Sequence, residues 1–153
     1  MTIHVEVVTQ ERKIFEEPAA DIVVLPGSEG EMGVLPRHAP LLTTMGFGEL
    51  IVRKGPGEER FAIYGGVVDV RPDKVVVLAD LAESSFTLDL RKIEAARERA
   101  RRMLEDGVPG SRNHETLLDL RRAELGLRIY RRIQNRGNVI RILEQEADET
   151  DQA

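Results

Sequence analysis

The sequence predicts an all-β domain over residues 1–84, an antiparallel helical hairpin over 85–137 and an acidic tail, expected to be disordered, over 138–153. Three observations carry this reading. Up to Leu81 the chain is a series of short β-branched runs separated by glycine, proline and polar turns, the pattern of a sandwich or a barrel. Near Glu83 the apolar repeat lengthens from two residues to three or four, the period of a helix. Charge changes with it. Residues 1–90 hold 8 basic and 15 acidic side chains, residues 91–141 hold 14 and 7, and residues 142–153 hold 5 acids and no base. Halves of opposite sign either dock on each other or meet different partners.

Taken in order, IHVEVVT (3–9) alternates Ile3, Val5 and Val7 with His4 and Glu6, a half-buried strand. Ile14-Phe15 begins a second strand, and ADIVVL (20–25) is a third. The stretch 26–42 is too rich in glycine and proline for a helix, yet Met32, Val34, Leu35, Leu41 and Leu42 are too apolar for a loose loop. It reads as turn, short strand, turn and strand start. GELIVRK (48–54) and RFAIY (60–64) flank the turn GPGEE, and Gly65-Gly66 separates the latter from Val67–Val70. RPDK then turns the chain into a last strand, Val75–Leu78.

The first helix is headed by Ser, Thr and Asp, as a capped helix should be, and repeats Ile93, Ala96, Ala100 and Met103-Leu104. DGVPGS stops it. A second helix is expected from about residue 113 to 135, with Leu118, Leu125, Ile129 and Ile133 on one side. The short connection makes the pair antiparallel, and Ala96, Ala100, Ala123 and Gly126 let the helices approach closely.

Composition narrows the function classes. With no cysteine there is no disulfide framework and no thiolate metal site. No apolar run approaches the ~20 residues of a membrane-spanning helix, and the N-terminus has no secretory signal. The expectation is a soluble protein of the cell interior.

Three constellations invite chemistry. GSEGEMG (27–33) has the glycines of a phosphate cradle but no GK[ST] ending, and Glu29 and Glu31 would repel an anion. An exposed acidic turn is the better reading. His38, with two acids nearby, permits a general base or a metal ligand, but neither His4 nor His114 supplies ligand spacing. A histidine hydrogen-bonded within a turn is expected instead. The arginines of the helical region include Arg121, Arg122, Arg128, Arg131 and Arg132. Nucleic-acid binding would want interleaved aromatics, of which the hairpin has Tyr130 alone; a solvated charged face is the simpler account.

The segment GSEGEMGVLPRHAPLLT (27–43) resembles the glycine/acid and LP–HAPL segment of the epsilon subunits of bacterial F-type ATP synthases. The resemblance continues through FAIYGGVVDVRPDKVVVLAD (61–80) and RAELGL (122–127), up to about Arg136. It implies a β-sandwich of about ten short strands and a two-helix hairpin. It also implies a non-catalytic central-stalk subunit that requires no cofactor. The sandwich would link the gamma shaft to the c-ring, so that proton transport is coupled to ATP synthesis. The hairpin would inhibit ATP hydrolysis by extending toward the alpha/beta head. On this reading Glu29, Glu31 and His38 face the c-ring and gamma. Arg121, Arg122, Arg128, Arg131 and Arg132 face an acidic segment of the beta subunits. The implied location is peripheral, on the cytoplasmic face of a bacterial plasma membrane. Contact with the membrane would be only through the complex, and no nucleic acid would be bound.

Many such subunits carry an [IL]DxxRA element that helps to bind ATP. Here Leu88 and Asp89 match, but Lys92 replaces the arginine and Ile93 the alanine. Asp89 and Lys92 would form any ATP site, and lysine lacks the bidentate fork that arginine offers, which weighs against one. Two rivals remain: a stand-alone sandwich-and-hairpin adaptor, and a small enzyme using His38 with Glu29 or Glu31.

Overall fold

A computed structural model describes residues 1–107, 112–136 and 139–144. The chain divides into two units: residues 1–84 together with the residues after 136, and residues 85–136.

The first unit is built from eight strands: β1 (Ile3–Val8), β2 (Lys13–Ala20), β3 (Ile22–Gly27), β4 (Gly30–Val34), β5 (Leu41–Lys54), β6 (Gly57–Val70), β7 (Lys74–Ala79) and β8 (Ala82–Ser84). Their order is β2-β1-β7-β6-β5-β3-β4, with β8 also on β6. All pairs are antiparallel except β1 with β7. Pro18 lies in β2, which is an edge strand and so tolerates a residue without a backbone donor.

β5 and β6, at 14 residues each, are paired from Leu41↔Val70 to Lys54↔Gly57. One half of this ribbon continues through β7 to β1 and β2, and the other pairs with β3 and β8, β4 lying beyond β3. Two layers thus share two long strands. The core between them holds Ile3, Val5, Val7, Val23, Leu25, Leu50, Val52, Ile63, Val68, Val75 and Val77, all without solvent exposure. Phe15 and Phe61 pack with ring centroids 5.1 Å apart.

Sequence reading breaks β6 at Gly65-Gly66, whereas the strand runs through them. The pair is a bend: φ is +84° at Gly65 and +134° at Gly66, a region that side chains disfavour. Counting each long strand once per layer turns eight strands into the expected ten.

In the second unit, Ser85–Thr87 forms a short 3-10 turn ahead of α1 (Leu90–Glu105) and α2 (Arg112–Asn135). Asp89 caps α1, its Oδ1 accepting from the backbone N–H of Arg91 at 3.0 Å and of Lys92 at 3.5 Å. A Cβ added at Gly126 would sit 3.3 Å from Ile93 Cδ1. The start of α1 therefore lies against the later half of α2, as in an antiparallel pair. Ala100, Ala123, Leu125, Leu127 and Ile129 are buried, a broader set than the single stripe expected for α2.

The tail expected to be disordered needs a correction at Val139–Glu144. Ile142 is buried in the sandwich core, and Arg141 and Leu143 both bond the carboxylate of Glu59. The apolar content of VIRIL supplies the burial that a purely acidic tail would lack. The remainder of that tail lies outside the described residues.

Candidate functional site

The turn Ser28-Glu29 joins β3 to β4 through the Gly27↔Gly30 pair. It is stitched to β5: the Ser28 N–H donates to Thr44 O at 3.2 Å, and the Thr44 hydroxyl donates to Ser28 Oγ at 3.0 Å. Glu29 and Glu31 are exposed, so the sandwich holds one carboxylate out on a fixed turn and another at the start of β4. After β4 the chain turns at Pro36-Arg37. Arg37 has φ +66° and its N–H donates to Pro72 O at 2.8 Å, tying this turn to the one between β6 and β7.

His38 closes that turn, its N–H donating to Leu35 O at 3.2 Å. Its Nδ1 lies 2.7 Å from Ala39 O; a carbonyl can only accept, so Nδ1 carries the proton. This is the turn-bonded histidine the sequence suggests. Among the described residues, the one cluster with metal-ligand proximity is His4, Glu6 and Glu16, and it does not include His38, Glu29 or Glu31.

That cluster is already charge-balanced. Lys13 Nζ lies 3.0 Å from Glu16 and 3.5 Å from Glu6, Lys74 Nζ lies 3.3 Å from Glu6, and His4 Nε2 lies 2.7 Å from Glu16. Two ammonium groups thus face the cluster's two carboxylates. Hydrogen bonding to Lys74 holds the Glu6 carboxyl below the ordinary glutamate range, and hydrogen bonding to Lys13 and His4 does the same for Glu16. A carboxyl depressed in the folded state contributes stability above its unfolded pKa, and loses it as pH falls through the folded value. Thermal melts between about pH 7 and about pH 3 should therefore show a falling Tm. The Glu6→Gln/Glu16→Gln variant should fall less steeply, and parallel slopes would show that the cluster contributes nothing.

Sequence reading missed an apolar surface on the outer face of the β5-β6-β7 layer. Leu42 is 71% exposed and Leu78 is 48% exposed. Register puts them on one face, through Leu42↔Asp69↔Val76 and Thr44↔Val67↔Leu78. The signal lay in KVVVLA, where both alternating faces of β7 are apolar although only one can face the core.

On α2 the five candidate arginines differ in exposure. Arg121, Arg128, Arg131 and Arg132 are exposed, and the seven- and four-residue steps from 121 to 128 to 132 align three of them. Arg122 stands apart, half-buried and 3.5 Å from Asp119. Asp89 and Lys92 sit on the first turn of α1, where the Asp89 carboxylate caps the helix and Lys92 is exposed. No helix among the described residues is long and apolar enough to cross a membrane.

The family described as ATP synthase, Delta/Epsilon chain, beta-sandwich domain matches residues 2–85. An ATP synthase epsilon chain of Dehalococcoides mccartyi is 44% identical over 128 residues, covering 83% of this chain and 91% of that one. One from Moorella thermoacetica is 41% identical over 128 residues, covering 83% and 90%. Among solved structures, a chain of the Euglena gracilis mitochondrial ATP synthase (OSCP/F1/c-ring) superposes with a TM-score of 0.64 at 22% identity, covering 88% of this chain and 80% of that one. That likeness is one of fold. Sandwich, helical region and sequence identity over most of both chains agree, and this chain belongs to the ATP synthase epsilon-chain family.

Proposed function

We propose that the chain is a non-catalytic central-stalk subunit of an F-type, proton-translocating ATP synthase. Its sandwich couples the gamma shaft to the c-ring, and its hairpin restrains ATP hydrolysis in the alpha/beta head. Family membership supports the first part. So does the division of labour on the sandwich, where Glu29 on its fixed turn and Glu31 at the start of β4 suit basic loops of a c-ring. Leu42 and Leu78 are exposed leucines on one face, which also carries Asp69 and Thr44, a mixed surface that suits a protein partner. Attachment to the membrane is indirect, through the complex and on its cytoplasmic side.

The observation that carries the regulatory part is the sorting of the α2 arginines: four are displayed and one is turned aside. A cationic helix face matches an acidic segment on a partner and gives a salt-sensitive attraction. At about 0.2–1 kcal/mol for each exposed pair, four arginines shift the balance between retracted and extended hairpins by on the order of 1–4 kcal/mol. That is enough to move a two-state population substantially.

The test is hydrolysis by the reassembled complex. Arg121→Gln, Arg128→Gln, Arg131→Gln and Arg132→Gln together should relieve inhibition roughly tenfold or more and flatten its salt dependence. Arg122→Gln alone should leave inhibition as it is. Full inhibition by the quadruple variant would rule out the charge-driven brake.

A further inference from the structure

We infer that Val139–Glu144 is a latch on the chain that leaves the hairpin, seated on the sandwich, and that it must let go before the hairpin can extend. The inference rests on the regulatory reading above, but the observations behind it are independent of that reading.

β6 pairs with β5 along its whole length, and on its other side with β8 at Phe61–Ile63 and with β7 from Gly66 onward. Its first residues, from Gly57, are covered by neither. There the segment after α2 returns, and the Glu58 N–H donates to Ile140 O at 2.8 Å. Two residues on, Ile142 is 1% exposed within the sandwich core.

Between them lies the more telling contact. Glu59 is wholly buried, and its carboxylate is held by Arg141 Nη2 at 2.8 Å on Oε2 and by the Leu143 N–H at 3.3 Å on Oε1. Both partners belong to the segment, more than 80 residues away in sequence. A buried carboxylate whose partners all come from one short strap is a strong local preference for the strap being seated. Edge hydrogen bond, buried side chain and buried ion pair are three different interactions concentrated in six residues.

The consequence follows from chain connectivity. Between Arg136 and Val139 there are only three Cα steps, a leash of roughly 11 Å at full extension. While the strap is seated, the chain leaving α2 can run no farther than that from Val139. Extension therefore requires withdrawing Ile142 and separating Arg141 from Glu59. The strap is a brake on the brake: it holds the inhibitory element in reserve and sets how readily the hairpin is released.

Amide hydrogen exchange on the full-length chain tests the seat directly. In the wild type the Glu58 and Leu143 amides should be protected. In Arg141→Ala/Ile142→Ala they should exchange at least about tenfold faster, while core amides of β1 and β7 keep their rates. If the double variant folds poorly, Arg141→Ala alone should accelerate Leu143. Unchanged exchange at both amides overturns the latch.

The same variants in the reassembled complex test its role. With the hairpin released more readily, they should inhibit hydrolysis several-fold more strongly than the wild type. Wild-type inhibition by the latch variants, alongside relief in the quadruple arginine variant, overturns the latch while the regulatory reading survives. No relief in the quadruple variant overturns the regulatory reading and the latch's role as a regulator with it; exchange then reports on the seat alone.

Discussion

Gly66→Ala is expected to destabilise the sandwich by on the order of 3–5 kcal/mol. An alanine Cβ there would lie 2.2 Å from Leu78 O and 2.8 Å from Ala79 Cα, both backbone atoms of the neighbouring strand. Gly66 is paired with Ala79, so the clash falls on the ladder itself, and β7 cannot retreat without giving up its register. The φ of +134° adds conformational strain on top of the overlap. Gly65 provides the internal comparison. Its added Cβ would meet Asp80 Oδ2 at 3.0 Å, the end of a side chain that can rotate away. Denaturant melts should therefore rank Gly66→Ala far below Gly65→Ala. Against a total stability of about 5–15 kcal/mol for a typical domain, the loss at Gly66 is a large fraction. A Gly66→Ala midpoint equal to that of the wild type would mean that β6 and β7 are not paired as described.

The same glycines show where reading the sequence stops being sufficient. Gly65-Gly66 was legible as an interruption, because glycine in a strand weakens it. Whether an interruption ends a strand or bends it depends on pairing partners, and those come from Leu41–Lys54, more than ten residues upstream. Strands with one apolar face, such as Ile3–Val8, were readable from alternation alone.

At the candidate site the charged residues were visible by type but not by direction. Arg121 and Arg122 are indistinguishable in a string of letters. They part company because Leu125 and Ile129 fix which way α2 turns. Leu42 and Leu78 were hidden for the opposite reason, since an exposed leucine looks like a core leucine until the register is known. VIRIL stands beside five acids, and its four apolar residues in five are the local departure from an acidic tail that marks a buried segment.

Arg60→Met is the second change expected to have a large effect, at about 3–5 kcal/mol of destabilisation. Arg60 is wholly buried on β6; its Nη1 donates to Glu49 Oε1 at 2.8 Å, and its Nε pairs with Glu58. Glu49 is itself only 8% exposed, so a methionine in place of Arg60 takes a charge-assisted hydrogen bond from a poorly solvated carboxylate. Glu58 is less affected, because Arg53 stands 3.5 Å away. The penalty should therefore be concentrated in Glu49 and should shrink when Glu49 is neutralised as well. Arg60→Met with Glu49→Gln is expected to recover part of the loss, since neutralising both members of a buried ion pair is less costly than removing one charge alone. A double-mutant cycle measured by denaturant melts gives the coupling directly. Strictly additive losses would mean that Arg60 acts through packing of its aliphatic stem, and that the buried charge pair contributes nothing of its own.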